Sequence, residues 1–134
     1  MLKEKSNATK KEVIKSTYKN AHISPSKVRL TANEIRGNEV RPALNKLTFY
    51  NNKASKILKK VLMSAVANAN QKGYEMDNLY VKDVKLGKGL TLKRYRYGSH
   101  GHIHPILKRW SNITIELGVI NSSKKIEKKE EPNE

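Results

Sequence analysis

Residues 87–111 read GKGLTLKRYRYGSHGHIHPILKRWS, and they carry the side chains with most chemistry to offer. Lys88, Lys93, Arg94, Arg96, Lys108 and Arg109 are six cations in 25 residues that contain no Asp or Glu. A segment of that kind suits phosphate neutralisation, because each cation that meets a phosphate releases condensed counterions. Tyr95, Tyr97 and Trp110 interleave with the cations, and aromatic rings so placed stack on unpaired bases or pack on sugars. The partner these residue types imply is RNA.

His100, His102 and His104 alternate, which along a strand would set three imidazoles on one side and raise a metal hypothesis. Metal sites add a carboxylate or thiolate and a second layer of groups that orients each ring. The segment supplies neither, so we read these histidines as neutral polar contacts at a tip flanked by Gly98 and Gly101, with no metal. No Gly-rich phosphate loop, cysteine nucleophile or obvious pair of carboxylates near an isolated histidine stands anywhere in the chain. The sequence therefore predicts no enzyme, no cofactor and no small-molecule substrate.

Composition gives the same direction. Lysine and arginine number 28 against 12 acidic residues, a net charge of +16 with a pI near 10.1, and such a chain needs a polyanion. Membrane binding would call for an apolar face on a basic helix or a lipid signal, and no apolar run approaches the ~20 residues of a membrane span. The lysine-rich start lacks the apolar stretch of a signal peptide. Cysteine is absent, which removes disulfides and thiolate chemistry and fits an intracellular chain.

The elements that must hold residues 87–111 can be placed from pattern. At 134 residues there is room for one modest core. Val13 to Ile23 mixes β-branched, aromatic and polar residues and predicts a strand. Ser24-Pro25 starts a helix and Gly37 stops it, so the first helix covers about 25–36. Val28, Ala32 and Ile35 share its apolar face, leaving Lys27, Arg29 and Arg36 for solvent or phosphate. Val40, Ala43, Leu44 and Leu47 keep helical spacing and predict a short second helix.

A third helix over about 52–72 carries the stripe Ala54, Ile57, Leu58, Val61, Leu62, Ala65 and Ala69 and ends before Gly73. Its small-residue half, SAVANAN, should let strands pack closely. Leu79–Leu86 and Asn112–Ile120 read as strands, with a slip in alternation between Val81 and Val84 that suggests a bulge. The expected fold class is α+β: three helices packed on a small antiparallel sheet, with a long protruding β-hairpin.

In domain terms this predicts a flexible basic arm over 1–12, one domain over 13–121 with the hairpin spanning about 82–115, and a disordered charged tail over 122–134. A connector of 25 residues inside a small domain asks for a function. As two extended arms at ~3.3 Å per residue it would form a finger about 40 Å long, against a radius of gyration near 13 Å for a ~100-residue domain. A bare two-stranded ribbon of that length is marginal in water and must be stabilised by what it enters.

The motifs ISPSKVRLTANEIRG at 23–37, KKVLMSAVANAN at 59–70, GLTLKRYRYGSHGHI at 89–103 and ILKRWSNITIEL at 106–117 resemble, in order and spacing, the bacterial-type large-subunit ribosomal protein twenty-two family. The resemblance covers about residues 18–119. It implies a small α/β domain on the outer face of the large subunit near the exit of the peptide tunnel, and a hairpin reaching inward to line the tunnel wall. It implies as partners large-subunit rRNA, neighbouring ribosomal proteins and the nascent polypeptide.

Carried over by residue, the resemblance has Lys27, Arg29 and Arg36 touching rRNA, and the residue types themselves add Lys88, Tyr95, Arg96, Tyr97, His100, His102 and Trp110 as expected RNA contacts. Leu92, Lys93 and Arg94, with Gly98, Ser99, His100 and Gly101 of the tip, lie along the tunnel, and Lys108 and Arg109 anchor the returning arm. The chain departs from the family at the tip, where Gly98 to His102 replaces an arginine-rich turn. It departs again before the last strand, where Trp110, Ser111 and Asn112 stand in place of Thr or Ser followed by His. The compartment implied is a bacterial cytoplasmic ribosome or that of an organelle. Two other readings stay open: a general DNA- or RNA-binding protein, and a metal-dependent enzyme built on the three histidines.

Overall fold

The apolar residues sort themselves by period. Along 25–35, 40–49 and 53–71 they recur every three or four positions, and along 113–117 every second one, so helices and a strand can bury one face each against the other. The computed structural model, which describes residues 13–120, shows how. The expectations for the arm over 1–12 and the tail over 122–134 lie outside the described residues.

The order is β1 (Ile14–Ala21), α1 (Pro25–Ile35), α2 (Val40–Phe49), α3 (Lys53–Gln71), a 3₁₀ turn (Met76–Asn78), β2 (Leu79–Tyr97), a second 3₁₀ turn (Ser99–Gly101) and β3 (Ile103–Val119). The three strands form one antiparallel sheet in the order β1-β3-β2. The expected α+β fold with a long hairpin is what the chain adopts.

Local chemistry sets the boundaries. Pro25 sits in the first turn of α1, where its missing N–H costs nothing. Gly37 ends that helix at φ +80°, and Gly73 does the same after α3 at φ +81°, a region that a side chain would strain. Gly37 N–H then donates to Val81 O at 2.8 Å and Val81 N–H to Asn38 O at 2.9 Å, tying the α1–α2 turn to β2. Ser24 occupies the N-cap position, but its hydroxyl makes no capping bond and faces Ser26 Oγ at 3.3 Å instead. At α3 the Ser55 hydroxyl accepts from Asn52 N–H at 3.3 Å, closing the first turn.

The core lies between the helices and one face of the sheet. Ile35 of α1, Leu47 of α2, Leu58 and Leu62 of α3, Leu79 and Val81 of β2, and Ile113, Ile115 and Leu117 of β3 are buried together. The small residues of α3 meet β1 as expected: Ser16 Oγ donates to Ser64 Oγ at 3.2 Å, and Asn68 Nδ2 to Lys15 O at 3.1 Å. Ile57, expected in the stripe, is only partly buried at its margin, and Val66 and Ser55 take full places in it. The slip between Val81 and Val84 is a bulge, with pairing shifted between Val81 and Asp83, and it returns Val84 to the core face.

Candidate nucleic-acid interface

The hairpin is one antiparallel ladder with two register shifts, at Val81/Asp83 and at Lys88/Thr91. Leu79 pairs with Val119 at its base and Tyr97 with Ile103 at its end, leaving only Gly98 to His102 as the turn. Strand β1 accompanies β3 as far as Ser111, and beyond that point the ribbon is two-stranded. From Thr91 to Tyr97 that free part extends about 20 Å at ~3.4 Å per residue. The finger is shorter than the expected ~40 Å because the third strand covers its root and the turn takes its tip.

Register assigns the two faces. Thr91, Lys93, Tyr95 and Tyr97 share one face with Arg109, Leu107, Pro105 and Ile103. Leu92, Arg94 and Arg96 share the other with Lys108, Ile106 and His104. Cations therefore stand on both faces, and the three consecutive residues Leu92, Lys93 and Arg94 cannot address one surface together. Lys93, Arg94, Arg96, Lys108 and Arg109 are exposed, and Tyr95 and Tyr97 are 70% and 80% exposed. Rings so open on an unaccompanied ribbon are free to stack.

At the root two irregularities face each other across β3. On β1 the register shifts between Tyr18 and Ala21, with Asn20 at φ +55°, and on β2 it shifts between Lys88 and Thr91. Asparagine side chains fill the gaps in the ladder. Asn20 N–H donates to Asn112 Oδ1 at 2.8 Å, Asn112 Nδ2 donates to Lys88 O at 3.2 Å, and Leu90 N–H donates to Asn20 Oδ1 at 3.2 Å. Gly89 lies beneath them, where a Cβ would come within 3.1 Å of Asn20 Oδ1 and 3.2 Å of the β3 backbone. The sequence signal for this junction was a glycine inside a strand pattern.

The histidines do not line up. His100 lies in the turn at φ +57°, His102 follows the turn, and only His104 is within β3. The one-sided row that alternation along a strand would give does not form, because the 3₁₀ turn breaks the period, and His100 stands at the tip between Gly98 and Gly101. His104 rests against Gly98, where any side chain would meet its ring at 2.7 Å. Among the described residues no group of three or more His, Asp or Glu is arranged to hold a metal ion.

Two expected RNA contacts have internal partners. Trp110 is half-buried and stacks on His22, with ring centroids 3.8 Å apart, so one face of its indole is taken. Arg36 is not a freely solvated cation: its Nε lies 3.0 Å from Asp83 Oδ1 and its Nη2 donates to Val84 O at 2.9 Å, binding the end of α1 to β2. Sequence reasoning missed both, since their partners are distant along the chain. Lys27 and Arg29 of α1 are exposed, as expected.

The pattern of the ribosomal protein L22p/L17e family matches residues 16–118, nearly all of this geometry. The chain belongs to that family. Among ribosomal L22p/L17e relatives, the large ribosomal subunit protein uL22 of Neorickettsia sennetsu is 46% identical over 112 residues, covering 83% of this chain and 99% of its own. That of Mycoplasmopsis agalactiae is 45% identical over 104 residues, covering 77% and 91%, and that of Wolbachia pipientis 39% over 108, covering 81% and 94%. No helix among the described residues of this L22p/L17e chain is long and apolar enough to cross a membrane.

Proposed function

We propose that the chain is a structural constituent of the large ribosomal subunit, binding large-subunit rRNA through its helices and hairpin. The observation that carries this is the ribbon beyond Ser111: two strands, cations on both faces, no acidic residue from Gly87 to Ser111, and, among the described residues, both edges unpaired. Such a ribbon gains its stability from what surrounds it. RNA phosphates along its length supply that, so the helices and hairpin together hold distant RNA segments during assembly.

The tip, Gly98, Ser99, His100 and Gly101, with the face bearing Leu92 and Arg94, lines the path of the nascent polypeptide, and the opposite face with Lys93, Tyr95 and Tyr97 rests on RNA. No chemical step is assigned to the protein. Neighbouring large-subunit proteins are further partners, and the bacterial relatives favour a bacterial ribosome over that of an organelle.

The test is crosslinking of the tagged protein to RNA in cells, with crosslinked nucleotides mapped by sequencing. Crosslinks concentrated in large-subunit rRNA, with hairpin residues on tunnel-wall nucleotides, are expected. Crosslinks scattered over messenger RNA or DNA would establish a general nucleic-acid binder instead.

A further inference from the structure

We propose that the cleft between the start of α1 and the root of the hairpin takes in one unstacked nucleotide of the bound RNA. The inference rests on the RNA-binding reading above and adds a specific seat for one residue of that RNA. The cleft has a volume of about 570 Å³, within the ~300–1,000 Å³ typical of small-ligand sites.

Arg29 of α1, Lys88 of β2 and Arg109 of β3 all contribute to its lining, and no Asp or Glu does. None of the three forms an ion pair with another described residue. Three cations brought by three elements into one concavity repel one another, and the potential they focus there is relieved by an anion. The lining also includes the apolar Leu86 and the 44% exposed Leu107. A phosphate alone leaves these leucines unused. A nucleotide turned out of its stack brings both parts, its phosphodiester to the cations and its base to the leucines.

Ser24 and Ser26 in the lining offer polar groups to a base edge. Ser24 Oγ does not cap its helix and reaches only Ser26 Oγ, at 3.3 Å, so both hydroxyls keep bonding capacity. Trp110 also lines the cleft and is stacked on His22.

The experiment mixes the full chain with a transcript of bacterial large-subunit RNA. It reads the hydroxyl-radical footprint, the 2′-acylation reactivity of each nucleotide, and zero-length ultraviolet crosslinks mapped by mass spectrometry. The expected result is one nucleotide that becomes hyper-reactive only with protein bound and crosslinks both to peptide 24–29 and to peptide 107–110. Absence of any footprint overturns the RNA-binding reading itself; a footprint without that shared nucleotide overturns the cleft alone. Arg29→Gln and Ser26→Trp, at exposed positions whose folding is checked by thermal unfolding, should each cut the hyper-reactivity at least tenfold at saturating protein. Unchanged hyper-reactivity in both folded variants counts against the proposal.

Discussion

The imidazole of His22 lies on the indole of Trp110 with centroids 3.8 Å apart and planes 23° from parallel, joining the segment that leaves β1 to the root of the hairpin. Neither ring belongs to the main core, so the pair acts as a separate brace where the third strand ends. Offset aromatic pairs contribute about 0.5–1.5 kcal/mol beyond their area. A double-mutant cycle with His22→Ala and Trp110→Ala, read by urea unfolding, should return a coupling of that size. Strict additivity would mean that the rings meet without stabilising each other.

Asn112 replaces two missing ladder bonds at the paired bulges, accepting from Asn20 N–H and donating to Lys88 O. Asn112→Ala removes both, and at about 1 kcal/mol per hydrogen bond should cost roughly 1–2 kcal/mol. Amide exchange should quicken first at Asn20 and Leu90, because their bonds meet at this junction. Faster exchange confined to the helices would disprove the local role.

Much of the fold was legible because local signals agreed. Pro25, Gly37 and Gly73 mark boundaries by backbone chemistry alone, and the stripe from Ala54 to Ala69 allows one helix face. The failures share a cause. Arg36 and Asp83, or Asn20 and Asn112, become neighbours only through packing and strand register, which no single segment encodes. The extent of β1 along β3 was hidden too: within the strand only Ile14 and Ala21 are buried, so its burial gives no period-two pattern to extrapolate. That extent set the length of the finger.

Arg36→Gln tests whether this arginine ties α1 to β2. Both side chains of the pair are about two-fifths exposed, so solvent screening holds its worth to about 1 kcal/mol, with the bond to Val84 O included. A loss of that order in thermal unfolding of the RNA-free protein, shrinking at high salt, is expected. No change in stability would return Arg36 to the freely solvated cations.

Lys85 sits across the sheet from Glu116, and the hydrogen bond to that carboxylate, then its charge, hold the ammonium above the usual lysine range, with Asp83 adding less. A raised folded value means that the contribution to stability is complete below the unfolded lysine value of ~10.4 and is lost as pH climbs through the folded one. Nitrogen-detected titration should show Lys85 deprotonating above the usual lysine range, and Glu116→Gln should lower it. An unmoved titration in the variant would remove Glu116 as the cause.

Lys93 and Arg94 are consecutive yet stand on opposite faces of the free ribbon, so reversing each probes a different surface. Lys93→Glu and Arg94→Glu leave the core untouched, because both residues are exposed beyond the third strand. Removing one cation from a phosphate should lower the salt dependence of RNA binding by about one unit of slope. If RNA meets both faces, the double variant loses about two, while its thermal transition stays where it was. If the Arg94 face looks toward the nascent chain, only Lys93→Glu changes the slope, and Arg94→Glu shows itself in the passage of peptides through the assembled subunit. Loss of the thermal transition in either variant would show that the ribbon and the core are not the separate structures their register indicates.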